Sequence, residues 1–228
     1  MNYCVALGGL AIKELNHYYV NREDVKKTAF FIDCDDSSLQ TLPQDYQKYL
    51  VNVIPCGTAQ YRTMAKKMFV LEACKGEIKS FFEPIINDQD ASVKIITTSF
   101  GGFGSGFAHE LITYLLGLYY LKYKRKLSIT LIGLAPTCYQ ALMNYACVSK
   151  DMLQRFETNT KAFVNEYKIE DNNHNAHMRI MFGNDYFLNS YGFYLIPTLD
   201  LEANRSPDFI ESELSIIAKI DIKKRYAK

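Results

Sequence analysis

The chain has 228 residues, 48% apolar and 14% aromatic, enough for one substantial hydrophobic core. Charged residues make up 22% and nearly cancel to a formal net charge of +1, which excludes a polycation built for nucleic acid or an anionic membrane surface. No apolar run reaches the roughly 18 residues that a membrane-spanning helix needs.

Six cysteines (Cys4, Cys34, Cys56, Cys74, Cys138 and Cys147) form no Cys-x-x-Cys pair, and several lie in apolar runs. They read as reduced structural thiols of a cytoplasmic protein. The N-terminus enters an apolar segment at once, without the pattern of a signal peptide.

In chain order, Tyr3 to Leu7 predicts a strand, followed by Gly8-Gly9 and a helix from about Leu10 to Val20. Thr28 to Ile32 predicts a second strand, closed by the acidic run Asp33-Cys34-Asp35-Asp36. Leu50 to Ile54 predicts a third, closed by Gly57-Thr58, with a helix from Ala59 to Phe82 behind it. Val93 to Thr97 predicts a fourth strand, ending in the cluster Gly101 to Gly106 and a helix from Phe107 to about Tyr123. Ser128 to Leu134 predicts a fifth, ending at Pro136, and a helix spans about Tyr139 to Tyr167. Lys168 to Ala176 reads as a polar loop, and Met178 to Phe182 as a sixth strand closed by Gly183-Asn184-Asp185. Ser206-Pro207-Asp208 carries the chemistry of a helix start, and a final helix runs into the basic tail Lys223-Lys224-Arg225.

Strands separated by helices predict an α/β fold: a mostly parallel sheet with helices on both faces, Rossmann-like in layout. Such sheets bind ligands at the carboxyl ends of their strands. Gly8-Gly9, Asp33 to Asp36, Gly57-Thr58, Gly101 to Gly106, Pro136-Thr137 and Asn184-Asp185 all follow strands, so they share one edge. The segment Ser99 to Gly106 is the strongest local signal. Glycines let a backbone approach a ligand, and the following helix adds first-turn N–H donors and a positive dipole end, which together suit a phosphate chain. A tight strand-to-helix packing turn uses the same residues. There is no Gly-x-x-x-x-Gly-Lys-Ser/Thr, so the pattern is not a P-loop. His174 and His177 lack partners at ligand spacing and read as surface residues. His109 reads as structural.

These residues resemble the tubulin/FtsZ family. Its glycine loop, Gly-Gly-Gly-Thr-Gly-Ser/Thr-Gly, is similar to Phe100 to Gly106, matching at Gly101, Gly102, Gly104, Ser105 and Gly106; Phe100 and Phe103 depart from it. Gly8 and Gly9 resemble its first loop, with Leu10, Ala11 and Ile12 where further small residues are common; Asp33 and Asp35 resemble its second, and Thr58 lies in the weak match to its third. Ala135-Pro136-Thr137 resembles the ribose-side loop, with Gln140 and Asn144 where FtsZ proteins carry an acid and an arginine. Asn184 stands in the turn near the base, and Asp208 at the start of the core helix, where an aspartate recognises guanine.

The resemblance implies a single nucleotide-binding domain over residues 1–228, ending in the core helix and without the family's second domain. It implies GTP or GDP as ligand, with Mg²⁺ bound through the phosphates. The expected contacts are Gly8, Gly9, Leu10, Lys13, Asp33, Asp35, Thr58, Gly101, Gly102, Phe103, Gly104, Ser105, Gly106, Pro136, Asn184 and Asp208. The expected function is cytoskeletal guanine-nucleotide binding, forming or capping filaments with itself or a longer relative. The chain stops where the family's catalytic acidic loop should begin, so hydrolysis is expected to be weak or partner-dependent, and no catalytic residue is assigned. The alternatives are a docking module with a vestigial site, and a Rossmann-type dinucleotide enzyme. The last is weakened because the glycine cluster follows the fourth strand rather than the first.

Overall fold

The computed structural model describes residues 1–19, 26–51, 58, 61–125, 127–136, 151, 154–156, 158–163 and 191–198. Among the described residues six strands form one sheet: β1 (Asn2–Leu7), β2 (Ala29–Asp33), β3 (Gln47–Leu50), β4 (Ser92–Thr98), β5 (Ser128–Pro136) and β6 (Tyr191–Thr198). All pairings are parallel and the order is β3-β2-β1-β4-β5-β6. The helices are α1 (Gly9–Tyr19), α2 (Asp36–Gln40), α3 (Arg62–Lys75), α4 (Glu77–Phe81), α5 (Glu83–Asn87) and α6 (Phe103–Tyr123). Positions 151, 154–156 and 158–163 are also helical.

The two-residue period of the strands divides the core. Tyr3, Val5 and Leu7 of β1, Phe30 and Ile32 of β2, and Val93 and Ile95 of β4 face a cluster with α3 and α6. Cys4, Ala6, Ala29, Phe31 and Ile96 face the other way, against Ala11, Ile12 and Leu15 of α1 and Leu39 of α2. Burial on both faces explains why β1 and β2 read as continuous apolar runs.

Four boundaries differ from the expectation. β3 occupies Gln47–Leu50, upstream of the apolar run Leu50 to Ile54. It is an edge strand of the described sheet, half-buried from Gln47 to Tyr49 and exposed at Leu50, so its polar residues are tolerated and hide it from an apolarity count. The expected helix from Ala59 to Phe82 is cut at Gly76, which adopts φ +81° and donates its N–H to the Ala73 carbonyl as a left-handed cap. α6 begins at Phe103, not Phe107, so much of the glycine cluster is the first turn of a helix rather than a loop. Finally, β6 at Tyr191–Thr198 was not expected. The expected strand at Met178 to Phe182, the loop before it and the final helix lie outside the described residues.

Among the described cysteines, Cys4 and Cys34 are buried, whereas Cys74 is exposed. No described helix is long and apolar enough to cross a membrane.

Candidate functional site

The strand order reverses between β1 and β4: the chain moves outward from β1 through β2 to β3, then returns to β4 on the other side. Helices therefore leave these two neighbouring strands toward opposite faces, opening a crevice at their carboxyl ends. β1 exits at Gly8, whose φ of +86° few L side chains adopt. The Gly8 N–H donates to the Ile32 carbonyl (3.0 Å), and the Gly8 carbonyl accepts from Ile12 N–H (3.0 Å), opening α1. β4 exits through Thr98, Ser99 and Phe100 to Gly102, the N-cap of α6, which has no side chain to cap with.

These turns meet. A Cβ on Gly8 would lie 3.6 Å from the Gly104 nitrogen and 3.9 Å from the Phe103 ring. A Cβ on Gly9 would lie 3.5 Å from Asp33 Oδ2 and from Ser38 Cβ. The structure thus brings Gly8, Gly9, Asp33, Phe103 and Gly104 together at one edge. The first-turn N–H groups of α1 and α6 have no intrahelical acceptors.

Asp33 is 4% exposed, and its carboxylate accepts from Cys34 N–H (2.8 Å) and Ser38 Oγ–H (2.6 Å). Burial raises its pKa, against the lowering effect of those hydrogen bonds. In the window just above the unfolded carboxyl value of 3.8, the folded state holds more proton than the unfolded one. Stability from this group therefore falls as pH rises through that window, and the cost persists above it. Asp33→Asn should gain melting temperature relative to the parent as pH rises from about 4 to neutral. A thermal-unfolding series that gives a pH-independent difference would refute a desolvated carboxyl here.

Asp35 is exposed and caps α2, accepting from Ser37 N–H (3.0 Å) and Ser37 Oγ–H (2.8 Å). Burial, then the Asp33 charge, push the Cys34 thiol up to about 12, opposed in part by a hydrogen bond from the Thr58 backbone. That bond puts Thr58, 6% exposed, beside the end of β2. Leu10 packs against the α1-side core, and Lys13 is exposed on α1. Pro136 ends β5 in register with Thr198 of β6. Asn184 and Asp208 lie outside the described residues.

The glycines of the segment also serve the packing of α6. A Cβ on Gly104 would come closer than 3.0 Å to the Leu7 carbonyl oxygen and Thr97 Oγ1, and one on Gly106 would do the same to the Arg62 carbonyl. The missing side chains let α6 press onto β1 and α3; at Gly104 the Cβ direction points to Leu7 of β1 and Thr97 of β4. Ser105 is fully buried. Its hydroxyl donates to the Gly101 carbonyl and accepts from Arg62 Nε (3.1 Å), while Arg62 Nη2 donates to the Ser105 carbonyl (3.0 Å). Phe103 joins the core against Phe107, ring centroids 4.9 Å apart. Phe100 packs edge-on against Phe156 at 5.1 Å, and its carbonyl accepts from Asn159 Nδ2 at 2.9 Å. Arg62 and Asn159 went unnoticed in the sequence because nothing local to them marks a contact 43 or 59 residues away.

No protein-family model matches the chain, and no curated protein matches it. Solved structures do. TubZ of Clostridium botulinum phage c-st is similar at 15% identity and TM-score 0.57, over 100% of this chain and 61% of that one. CetZ2 from Haloferax volcanii, described as a GTPγS-bound protofilament, matches at 14% identity and TM-score 0.61, over 98% and 61%. CetZ1 from the same organism, described as a GDP-bound monomer, matches at 12% and 0.60, over 98% and 62%. The chain has the tubulin/FtsZ-type fold of these proteins and spans about three-fifths of their length.

Proposed function

We propose that the crevice between β1 and β4 binds a guanine nucleotide. One observation carries this reading: α1 and α6 open side by side at the switch point, with glycines at both starts and no side-chain cap on α6. Two adjacent sets of unpaired N–H donors and two positive dipole ends favour a polyanion. In this reading Gly8, Gly9, Leu10, Gly101, Gly102 and Phe103 offer main-chain donors, with Lys13 one turn further along α1. Gly104, Ser105 and Gly106 hold the donors in position. Pro136 and Asn184 flank the sugar and base. Asp208 accepts from N1–H and the exocyclic amine of guanine, which adenine cannot reproduce. The buried Asp33 carboxylate beside Gly9 repels bare phosphate, and Mg²⁺ entering with the phosphates offsets that; Asp35 and Thr58 flank it. The GTPγS and GDP forms named for CetZ2 and CetZ1 support the ligand class.

Hydrolysis by the purified chain is expected to be slow. Phe103 offers no hydroxyl to the phosphates, and the Ser105 hydroxyl is committed to Gly101. A partner supplying a water-orienting group would raise the rate. In this reading residues 1–228 act as one nucleotide-binding domain, and the protofilament named for CetZ2 supports self-association or pairing with a longer relative. The second reading, a docking module with a vestigial site, is favoured by the Phe103 ring lying against Gly8.

Native mass spectrometry of the purified protein separates the two. GTP or GDP should co-purify or bind on addition, with preference over ATP, and Asp208→Ala should erase the preference. Protein that retains no nucleotide, or parent protein that binds ATP equally well, sinks the guanine reading.

A further inference from the structure

A cleft of about 550 Å³ opens beside the start of α6, between the first turn of α3 and the helical residues 154–156 and 158–163. That volume suits a small molecule. Among the described residues of its wall, Arg62 and Arg155 bring two guanidiniums, each already in contact with a protein ring, and Asp151 brings one carboxylate. Tyr61 is half-exposed, with the Arg155 guanidinium 5.0 Å from its ring centroid. Gln154, Thr158 and Asn159 add amides and a hydroxyl. α3 also opens here without a side-chain cap, since Tyr61 cannot provide one.

Two of these wall residues reach through to the glycine segment. Arg62 donates from Nε and Nη2 to the Ser105 hydroxyl and carbonyl, and Asn159, 9% exposed, donates to the Phe100 carbonyl. Any charge placed in the cleft therefore acts on the groups that hold the start of α6. An anion drawn to Arg62 fixes that side chain, and so tightens what it grips.

We propose that this cleft is a second ligand site, for a small organic anion bearing a flat apolar group, and that its occupancy is transmitted to the glycine segment through Arg62 and Asn159. The guanidiniums recognise the anionic end. The Tyr61 ring and the cleft's apolar surface take the flat part. The site stands whether or not the crevice between β1 and β4 holds a nucleotide.

Phenyl phosphate is the probe, with inorganic phosphate as the comparison that lacks the ring. Calorimetry on the full chain should give saturable binding of phenyl phosphate, tighter than phosphate. Arg155→Gln and Tyr61→Ala each break the contact between two exposed side chains, so thermal unfolding should shift only slightly and by a similar amount in both, while affinity falls about tenfold in each. Amide hydrogen exchange at residues 102–105 should slow on binding in the parent protein. Absence of saturable binding, or binding that neither variant weakens, overturns the site. Binding that both variants weaken, with unchanged exchange at 102–105, overturns the coupling.

Discussion

Gly104→Ala should damage the fold before it damages any ligand contact. The added methyl would sit closer than 3.0 Å to the Leu7 carbonyl oxygen and to Thr97 Oγ1, and one of these is main chain in the central strand. Backbone in a six-stranded parallel sheet cannot step aside alone, because β1 is bonded on both sides, to β2 and β4. Relief requires lifting the start of α6, which also disturbs Ser105 and its bonds to Arg62. Overpacking typically costs about 1–3 kcal/mol, and contact with main chain puts this case at the upper end, a large part of a typical domain's net stability. Chemical denaturation should show the loss in nucleotide-free protein. Gly8→Ala is the contrasting variant. Its Cβ would meet only ordinary contacts at 3.6 to 3.9 Å, so its cost is the left-handed backbone, about 1–2 kcal/mol. If Gly104→Ala proves as stable as the parent and loses only nucleotide, then the Cβ direction at that position faces ligand and the packing account is wrong.

This contrast marks the limit of what the sequence could say. The identity of the glycine segment was legible, and so was its place at the edge, because a Gly-rich run between an apolar strand and an apolar helix has few other readings. Its purpose was not legible. Close approach to phosphate and close approach to Leu7 both require glycine, and only the packing partner distinguishes them.

Strands β1 and β2 were readable because burial on both faces leaves apolar runs, and β4 and β5 because each carries a β-branched, largely apolar stretch between polar segments. β3 was misjudged because an edge strand mixes Gln47 and Lys48 with Tyr49 and Leu50. β6 was missed because Gly192 and Pro197 break its signature, although a strand end tolerates proline. Gly76 was passed over because its neighbours kept a helical period on both sides. The contacts of Arg62 and Asn159 depend on helices crossing, which no local pattern records.

Phe103→Thr restores the residue that the tubulin/FtsZ loop carries, and it should make this protein worse. Phe103 is 6% exposed and packed against Phe107, which in turn meets Phe69 edge-on at 5.0 Å. Cutting the ring to a threonine removes most of a core aromatic and leaves a hydroxyl inside an apolar cluster. Losing the ring alone costs about 3–5 kcal/mol by analogy with Phe→Ala substitutions in cores. The hydroxyl adds to that cost unless it turns to an acceptor. Phe103→Leu keeps an apolar side chain of similar reach and should lose less than about 1.5 kcal/mol. Denaturation curves for the two variants, with GTP titrations on each, decide the matter. Large destabilisation by threonine, little by leucine and no gain in GTP affinity mean that the ring belongs to the core. A threonine variant as stable as the parent that binds GTP more tightly would mean that the ring occupies ligand space, and that the crevice between Gly8 and Gly104 is closed by a side chain rather than floored by one.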